Sequence, residues 1–513
     1  MRVELFFYNL NKKFQKFVFI VNLTTLDSKD IEILHIFFNE KIKCMKKTIL
    51  ILLFAITLNG LYGQKPEEIY RTPLKDVLTD IQTRYNVKLQ YSENLVKGVE
   101  VLYPTWRYRS NIEQTLDNIL LPLDLVYEKV NERTYQISRF NYYQRPVEEG
   151  RKHLEQLLAA CPTLELWEKR KAELRQCFLE KLKLSPFPEK TSFIPVITPA
   201  RKYNGYTVEN VAIETIPGVY LCGSLYKPSK GKGPFPLILC PYGHFSNPDT
   251  NLYGRYRPDM QYRCATLARM GAVVFSYDMF AWGESRLQFA PELHRTGLAH
   301  TMQTLNSIRA IDYLTSLPFV DRNRIGITGA SGGATQTMLA TALDDRITVS
   351  VPVVMVSSYY YGGCPCESGM PLQTCTNLLT YNAEIAAMAS PRPMLVISDG
   401  DDWTQHVPEI EFPYLQKIYS LYGKQGNVEN VHLANEKHDY GYSKRIVMYE
   451  FMAKHLGLDI NTVKDRTGKI DESKVTIETY DKLLVFGKNG KMPGNALKNP
   501  DDVWKTLLSL QKK

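Results

Sequence analysis

Gly329-Ala330-Ser331-Gly332-Gly333 is the stretch that decides the fold of this 513-residue chain. Before it runs Asn323-Arg324-Ile325-Gly326-Ile327-Thr328, short and β-branched; after it runs Ala334-Thr335-Gln336-Thr337-Met338-Leu339-Ala340, a good helix former. A G-x-S-x-G turn between a strand and a helix holds its serine in a strained backbone conformation, so that the hydroxyl stands clear of the sheet. Side chains two positions either side would collide with the neighbouring strand and helix, and glycine at 329 and 333 removes them. The Gly332 amide then falls at a helix N-terminus, where unpaired N–H groups and the helix dipole favour an anion. That suits one half of an oxyanion hole.

A serine hydroxyl is a poor nucleophile until a base takes its proton, and the base needs an orienting carboxylate. Candidates for both lie downstream. Pro393-Met394-Leu395-Val396-Ile397-Ser398 reads as a buried strand and ends in Asp399-Gly400-Asp401-Asp402-Trp403-Thr404. Asp402 is the first choice for the acid, Asp401 the second and Asp399 the third; Asp399 could instead shape the turn before Gly400. Val428-Glu429-Asn430-Val431-His432-Leu433 reads as the next strand and leads to His438 on the loop beyond it. His438 is the expected base. His432 lies inside the strand pattern and is expected to pack, whereas His406 comes after the acid loop and is a candidate for touching substrate.

The second oxyanion donor is expected after an early strand. Phe235-Pro236-Leu237-Ile238-Leu239-Cys240 is that strand, and it runs into Pro241-Tyr242-Gly243-His244. The backbone amide of His244 is the candidate. A further buried strand, Ala272-Val273-Val274-Phe275-Ser276-Tyr277, ends at Asp278 and precedes Gly283-Glu284-Ser285. Asp278 is read as structural, bonding amides of its own turn.

With these residues in view, the region 203–458 resembles the α/β-hydrolase superfamily, and within it the acetyl xylan esterase and dienelactone hydrolase branch. The matching pieces are Pro241-Tyr242-Gly243-His244, Tyr277-Asp278 through Gly283-Glu284-Ser285, the serine turn with Thr335-Gln336-Thr337, Gly362-Gly363-Cys364-Pro365-Cys366-Glu367, and Asp402-Trp403-Thr404. The resemblance implies an α/β fold with a mostly parallel central sheet flanked by helices. It also implies hydrolysis of carboxylic esters, plausibly acetyl groups on plant polysaccharide, with no metal or organic cofactor. The aspartate-rich acid loop departs from the family pattern and leaves the acid assignment open.

The amino-terminal part carries its own signals. Met45-Lys46-Lys47, then an apolar run from Thr48 to Leu58, then Asn59-Gly60-Leu61-Tyr62-Gly63, has the charge and hydropathy profile of a cleavable signal peptide. The apolar core is short for a spanning helix. Residues 45–63 are therefore expected to direct export to the periplasm or outside, and residues 1–44 to be an upstream extension foreign to the natural product. Of the formal net charge of +9, the leading segment before Gln64 carries +4, from nine Lys/Arg against five Asp/Glu. The remainder of the chain is only mildly basic and has no basic run of the kind that tracks nucleic acid.

Residues 65–140 read as a small α+β domain. Leu74, Val77, Leu78 and Ile81 have helical spacing, Val87-Lys88-Leu89-Gln90-Tyr91 alternates like a strand, and Ile112, Leu116, Ile119 and Leu120 repeat the helical theme. A hairpin comes next, turning at Asn131-Glu132. With Thr72-Pro73-Leu74, this pattern resembles the short N-terminal domain of secretins and TonB-dependent transporters, which implies an envelope protein as partner. Residues 141–200 read as a helical segment and proline-rich linker, 201–460 as the hydrolase domain, and 461–513 as a tail that packs.

Eight of the nine cysteines lie beyond residue 44. Cys364, Cys366 and Cys375 cluster without the second ligand pair that a zinc site needs, so no metal is expected. A disulfide from Cys375 to Cys364 or Cys366 is a candidate, plain thiols the alternative. This loop region is expected to overhang the serine, with Tyr359, Tyr360, Tyr361 and Trp403 as candidate pocket walls.

The leading expectation is a serine ester hydrolase acting on an acylated small molecule or polysaccharide. A serine peptidase of the prolyl oligopeptidase type is the alternative, although the segment before Tyr203 is too short for a propeller. A non-catalytic envelope interaction protein is the third reading.

Overall fold

The structure, a computed structural model, describes residues 3–7, 15–19 and 71–512, apart from 103, 121, 122, 124, 140–142, 193, 245–252 and 362–369. The expected signal segment 45–63 lies outside the described residues, as do Cys364 and Cys366. The chain divides into two compact units, Met1–Arg139 and Phe140–Lys513.

In the first unit, Leu74–Tyr85 forms a helix that buries Leu74, Val77, Leu78 and Ile81, the apolar stripe that its spacing dictates. Asn86 ends it in the left-handed conformation, φ 53°. A second helix, Ile112–Leu120, buries Leu116, Ile119 and Leu120. Both contribute to one core with Tyr135 and Ile137 of a three-stranded sheet. In that sheet Thr134–Arg139 is central, parallel to Lys88–Gln90 and antiparallel to Leu125–Asn131. Two short strands, Arg71–Pro73 and Glu100–Leu102, form a separate antiparallel pair.

The second unit is built on a 10-stranded sheet. Its helices and strands include, in chain order, α1 (Val147–Ala160), α2 (Leu164–Lys181), β1 (Arg201–Tyr203), β2 (Tyr206–Ile216), β3 (Val219–Pro228), β4 (Phe235–Leu239), α3 (Pro258–Arg269), β5 (Val273–Tyr277), α4 (Gly297–Leu314), β6 (Val320–Ala330), α5 (Gly332–Leu343), β7 (Val349–Val353), β8 (Met394–Asp399), α6 (Glu411–Leu421), β9 (Val428–Leu433), α7 (Tyr442–Leu456) and α8 (Pro500–Ser509). The strand order is β1-β2-β3-β5-β4-β6-β7-β8-β9, with the short Val196–Ile197 strand added on β2. From β5 to β9 every pairing is parallel, and β1, β2 and β3 add an antiparallel edge. This is the α/β-hydrolase arrangement, with a mixed sheet.

Parallel strands covered on both faces read as continuous apolar runs. β7 and β8 are buried at every position, and β5 likewise. The largest core joins α5, α6 and the β8 face to Leu154, Leu157, Trp167, Leu174 and Phe178 of α1 and α2 and to Val503 and Leu507 of α8. The helical pair ahead of the sheet is fastened further by polar contacts. Arg170 pairs through Nε and Nη2 with Glu384, which is fully buried, and Nη2–Oε2 is 2.8 Å. Cys177 of α2 is disulfide-bonded to Cys375, with Cα atoms 5.6 Å apart. That corrects the expected pairing of Cys375 with a neighbour in its own loop. The bond closes across 198 residues, a relation that no local spacing could have announced. Among the described residues, no helix is long and apolar enough to cross a membrane, and no group of His, Cys, Asp and Glu is arranged to hold a metal ion.

Candidate active site

β6 ends at Ala330 and α5 begins at Gly332, so Ser331 is the whole of the turn between them. Its backbone sits at φ 56°, ψ −127°, a conformation that costs a non-glycine residue about 1–3 kcal/mol and clusters at functional sites. The two outer glycines are demanded by contact. A Cβ on Gly329 would lie 2.5 Å from the Gly333 carbonyl oxygen and 2.7 Å from that of Pro241. On Gly333 it would lie 2.7 Å from the Pro241 oxygen and 2.9 Å from the Tyr242 Cα. The glycines therefore permit a tight crossing of β6, α5 and the loop after β4.

The acid loop and the histidine loop leave adjacent strands, β8 and β9. Nδ1 of His438 donates to Oδ2 of Asp402 at 2.5 Å. The other oxygen of Asp402 accepts from the Thr404 amide and hydroxyl, each at 2.5 Å, so the carboxylate is held from both sides. The Asp402 side chain is 2 % exposed and that of His438 is 23 % exposed, a buried acid behind an accessible imidazole. A carboxylate can only accept, which places the ring proton on Nδ1 and leaves Nε2 as the basic nitrogen of the neutral ring. The histidine loop is tied to the serine strand by Tyr440, whose hydroxyl lies 2.7 Å from Oγ1 of Thr328, three residues before Ser331.

The other two aspartates are placed differently. Asp401 is exposed, and its amide donates to Oδ1 of Asp399 at 3.3 Å. Asp399 is fully buried and ion-paired with Lys444 Nζ at 3.0 Å. Burial, and then the neighbouring Asp402 charge, push the Asp399 carboxyl above its ordinary value, while Lys444 pulls the other way. His432, as its strand pattern suggested, packs in β9 with Nδ1 3.0 Å from Ser398 Oγ.

The loop after β4 lies against the serine turn. A Cβ on Gly243 would be 2.9 Å from both the Gly332 nitrogen and the Ser331 Cβ, so the chain passes the serine here at backbone distance. Its position is set by Asp278, whose Oδ1 accepts from the Tyr242 hydroxyl at 2.8 Å and whose Oδ2 accepts from the Glu284 amide at 2.9 Å. Sequence reasoning found that turn but missed its cation. Arg255, fully buried, donates to both oxygens of Asp278 and, at 2.6 Å, to Glu284. Glu284 in turn accepts the amides of Val485 and Phe486 from the C-terminal segment, at 2.8 and 3.0 Å.

The His244 ring turns to His294, with Nε2 to Nε2 at 2.5 Å. Nδ1 of His294 lies 2.6 Å from the Phe280 carbonyl, which can only accept. In the neutral pair, His294 Nε2 is therefore the acceptor and His244 the donor. His294 carried no signal of its own in the sequence. Of the expected pocket walls, Trp403 stacks on Tyr360 and tilts against His438, ring centroids 4.4 Å apart. His406 lies by Tyr359 instead, at 5.9 Å. The side chain of Tyr361 lies outside the described residues.

Comparison with known proteins places the chain among hydrolases. The family model for X-Pro dipeptidyl-peptidase (S15 family) matches residues 217–406. The solved structure of methylesterase BT1017 is 42% identical, covers 88% of this chain and 100% of that one, and superposes with a TM-score of 0.66. The 4-O-methyl-glucuronoyl methylesterase of Neurospora crassa is 24% identical over 301 residues, 50% of this chain and 68% of that protein. Uncharacterized protein PA2218 of Pseudomonas aeruginosa is 28% identical over 141 residues, 27% of this chain, and the chain spans only 34% of that relative's length.

Proposed function

The chain belongs to the family of methylesterase BT1017 within the α/β-hydrolases, enzymes of the serine-hydrolase fold, and on that premise we propose that it is a serine carboxylic ester hydrolase that removes methyl groups from esterified sugar acids. The observation that carries the reading is the 2.5 Å contact between Asp402 and His438, in a chain whose serine turn holds Ser331 at positive φ.

In this reading Ser331 Oγ attacks the acyl carbon, and its proton passes to Nε2 of His438. Asp402 fixes the ring through Nδ1 and stabilises the imidazolium. The amides of Gly332 and His244 hold the oxyanion. As the tetrahedral species collapses, the ester C–O bond breaks and His438 returns the proton to the departing alcohol. A water then repeats the sequence on the acyl-enzyme and frees the acid.

The names of two relatives, a methylesterase and a 4-O-methyl-glucuronoyl methylesterase, favour an ester whose acyl part is a sugar carboxyl and whose alcohol is small. Acetyl esters of polysaccharide reverse that assignment. The X-Pro dipeptidyl-peptidase match keeps an amide substrate as the second reading. The export signal at 45–63 fits a glycan substrate outside the cytoplasm, and the first unit, with its resemblance to secretin and TonB-dependent domains, is then a docking module for an envelope protein.

The test is turnover of three substrates by the full chain, with Ser331→Ala as blank: glucuronic acid methyl ester, p-nitrophenyl acetate and an aminoacyl p-nitroanilide. Methanol release that vanishes in the blank supports the proposal. Preference for acetate moves it to a deacetylase, anilide turnover to a peptidase, and silence on all three removes it.

A further inference from the structure

Lys444 lies in the first turn of α7, and its side chain is fully buried. Three oxygens surround its ammonium. It donates hydrogen bonds to Oδ1 of Asp439 at 3.1 Å and to the Lys437 carbonyl, and it is ion-paired with Oδ2 of Asp399 at 3.0 Å. Two of those partners are the residues on either side of His438. The third ends β8, three residues before Asp402. One buried nitrogen thus grips the histidine loop before and after its imidazole, and at the same time the root of the acid loop.

Packing does not call for a charge at this place. Positions 444, 448 and 452 share one face of α7, and Met448 and Met452 are buried apolar residues of the core there. Burying an ammonium is costly unless it is paired and bonded. A lysine on the apolar face of a helix is therefore retained for what it holds. The Asp402–His438 contact, for its part, joins two separate loops, and Lys444 hydrogen-bonds the residues flanking His438 while its charge pairs with Asp399 at the root of the acid loop. The length of that contact depends on how the two loops are registered.

We propose that Lys444 is a positioning residue for the proposed ester hydrolysis: it registers the acid loop against the histidine loop so that Asp402 and His438 meet. The inference rests on the reading of Ser331, His438 and Asp402 as a catalytic triad. The competing explanation is that Lys444 merely neutralises buried Asp399.

Two variants of the full chain separate these explanations. Lys444→Met alone leaves Asp399 buried and unpaired. Asp399→Asn with Lys444→Met removes both charges, which cures any problem of neutralisation and leaves the tether missing. In the double variant kcat is expected to fall about 10²-fold with KM within about twofold, the scale of a small misplacement of catalytic groups. The thermal midpoint shows that it is folded. The downfield proton resonance of His438 Nδ1, read without substrate in the Ser331→Ala background, is expected to be lost or moved upfield. A double variant that recovers wild-type kcat and keeps this resonance overturns the proposal and leaves neutralisation. The resonance is independent of turnover, so its persistence refutes the tether even if the ester reading stands, whereas turnover that survives in Ser331→Ala refutes the triad reading on which the inference rests and leaves the resonance to report the tether alone.

Discussion

Trp403 lies flat against Tyr360, with ring centroids 3.7 Å apart and planes 8° from parallel. The same indole leans on His438 at 4.4 Å. One aromatic ring therefore joins the segment after β7 to the imidazole and forms a wall beside it. Stacked pairs contribute about 0.5–1.5 kcal/mol beyond their burial, up to about tenfold in a rate or affinity. Trp403→Ala is expected to lower kcat/KM about tenfold and Trp403→Phe about twofold, read from initial rates on the preferred ester. Equal rates for Trp403→Ala and wild type would remove the wall from the site.

The three aspartates of one loop make a controlled comparison. Asp402→Asn keeps the shape but presents the wrong hydrogen-bonding partner to Nδ1, a change that costs about 10⁴ in kcat in serine hydrolases of this design. Asp401→Asn, at an exposed position, is expected to change kcat less than about twofold. Asp399→Asn is expected to act between them, through Lys444 and stability. A crippled Asp401→Asn beside an active Asp402→Asn would overturn the assignment.

Removing the bond between Cys177 and Cys375 frees a closed loop of 198 residues in the unfolded chain. Cys177→Ser is expected to cost about 2–5 kcal/mol in chemical denaturation, and the reduced wild type to match it. Identical midpoints for oxidised wild type and Cys177→Ser would show that the link does not stabilise the fold.

His153 predicts an acid-side weakness. Burial pushes its pKa down to about 4, although its Nε2 reaches the Leu379 carbonyl at 2.8 Å. The unfolded imidazole takes its proton near about pH 6.5. Between those values the unfolded state binds the extra proton, so stability rises with pH across that window and is lost as pH falls through it. His153→Gln keeps a donor toward Leu379 and removes the titration. Its urea midpoint is expected to change less than that of wild type between about pH 7 and about pH 4. Parallel curves for the two proteins would assign the acid loss to other groups.

How much of the fold and site was legible in the sequence depends on how local each constraint is. The serine turn could be read because Gly329, Ser331 and Gly333 must satisfy a crossing within a single short turn, and the flanking strand and helix carry their own patterns. The helices of the first unit could be read because Leu74, Val77, Leu78 and Ile81 repeat at helical spacing. The acid loop stayed ambiguous because Asp399, Asp401 and Asp402 are alike until distant residues sort them: His438 takes one, Lys444 another, and solvent the third. Cys177 as the partner of Cys375, and Arg255 under Asp278, were invisible for the same reason. Lys444 did leave a trace, a charge on the apolar face of α7, but a trace that names no partner.

The amides of Val485 and Phe486 close on Glu284, which with Asp278 grips Arg255 below the loop carrying Tyr242, Gly243 and His244. During synthesis the serine turn is made long before those amides exist. The loop beside it gains this support only when the chain has been extended past Phe486, so a nascent chain that has folded its sheet still lacks the brace on that loop. The order of the chain thus sets an order of assembly: the proposed nucleophile is made early, and the brace for the loop proposed to hold the oxyanion arrives near the end.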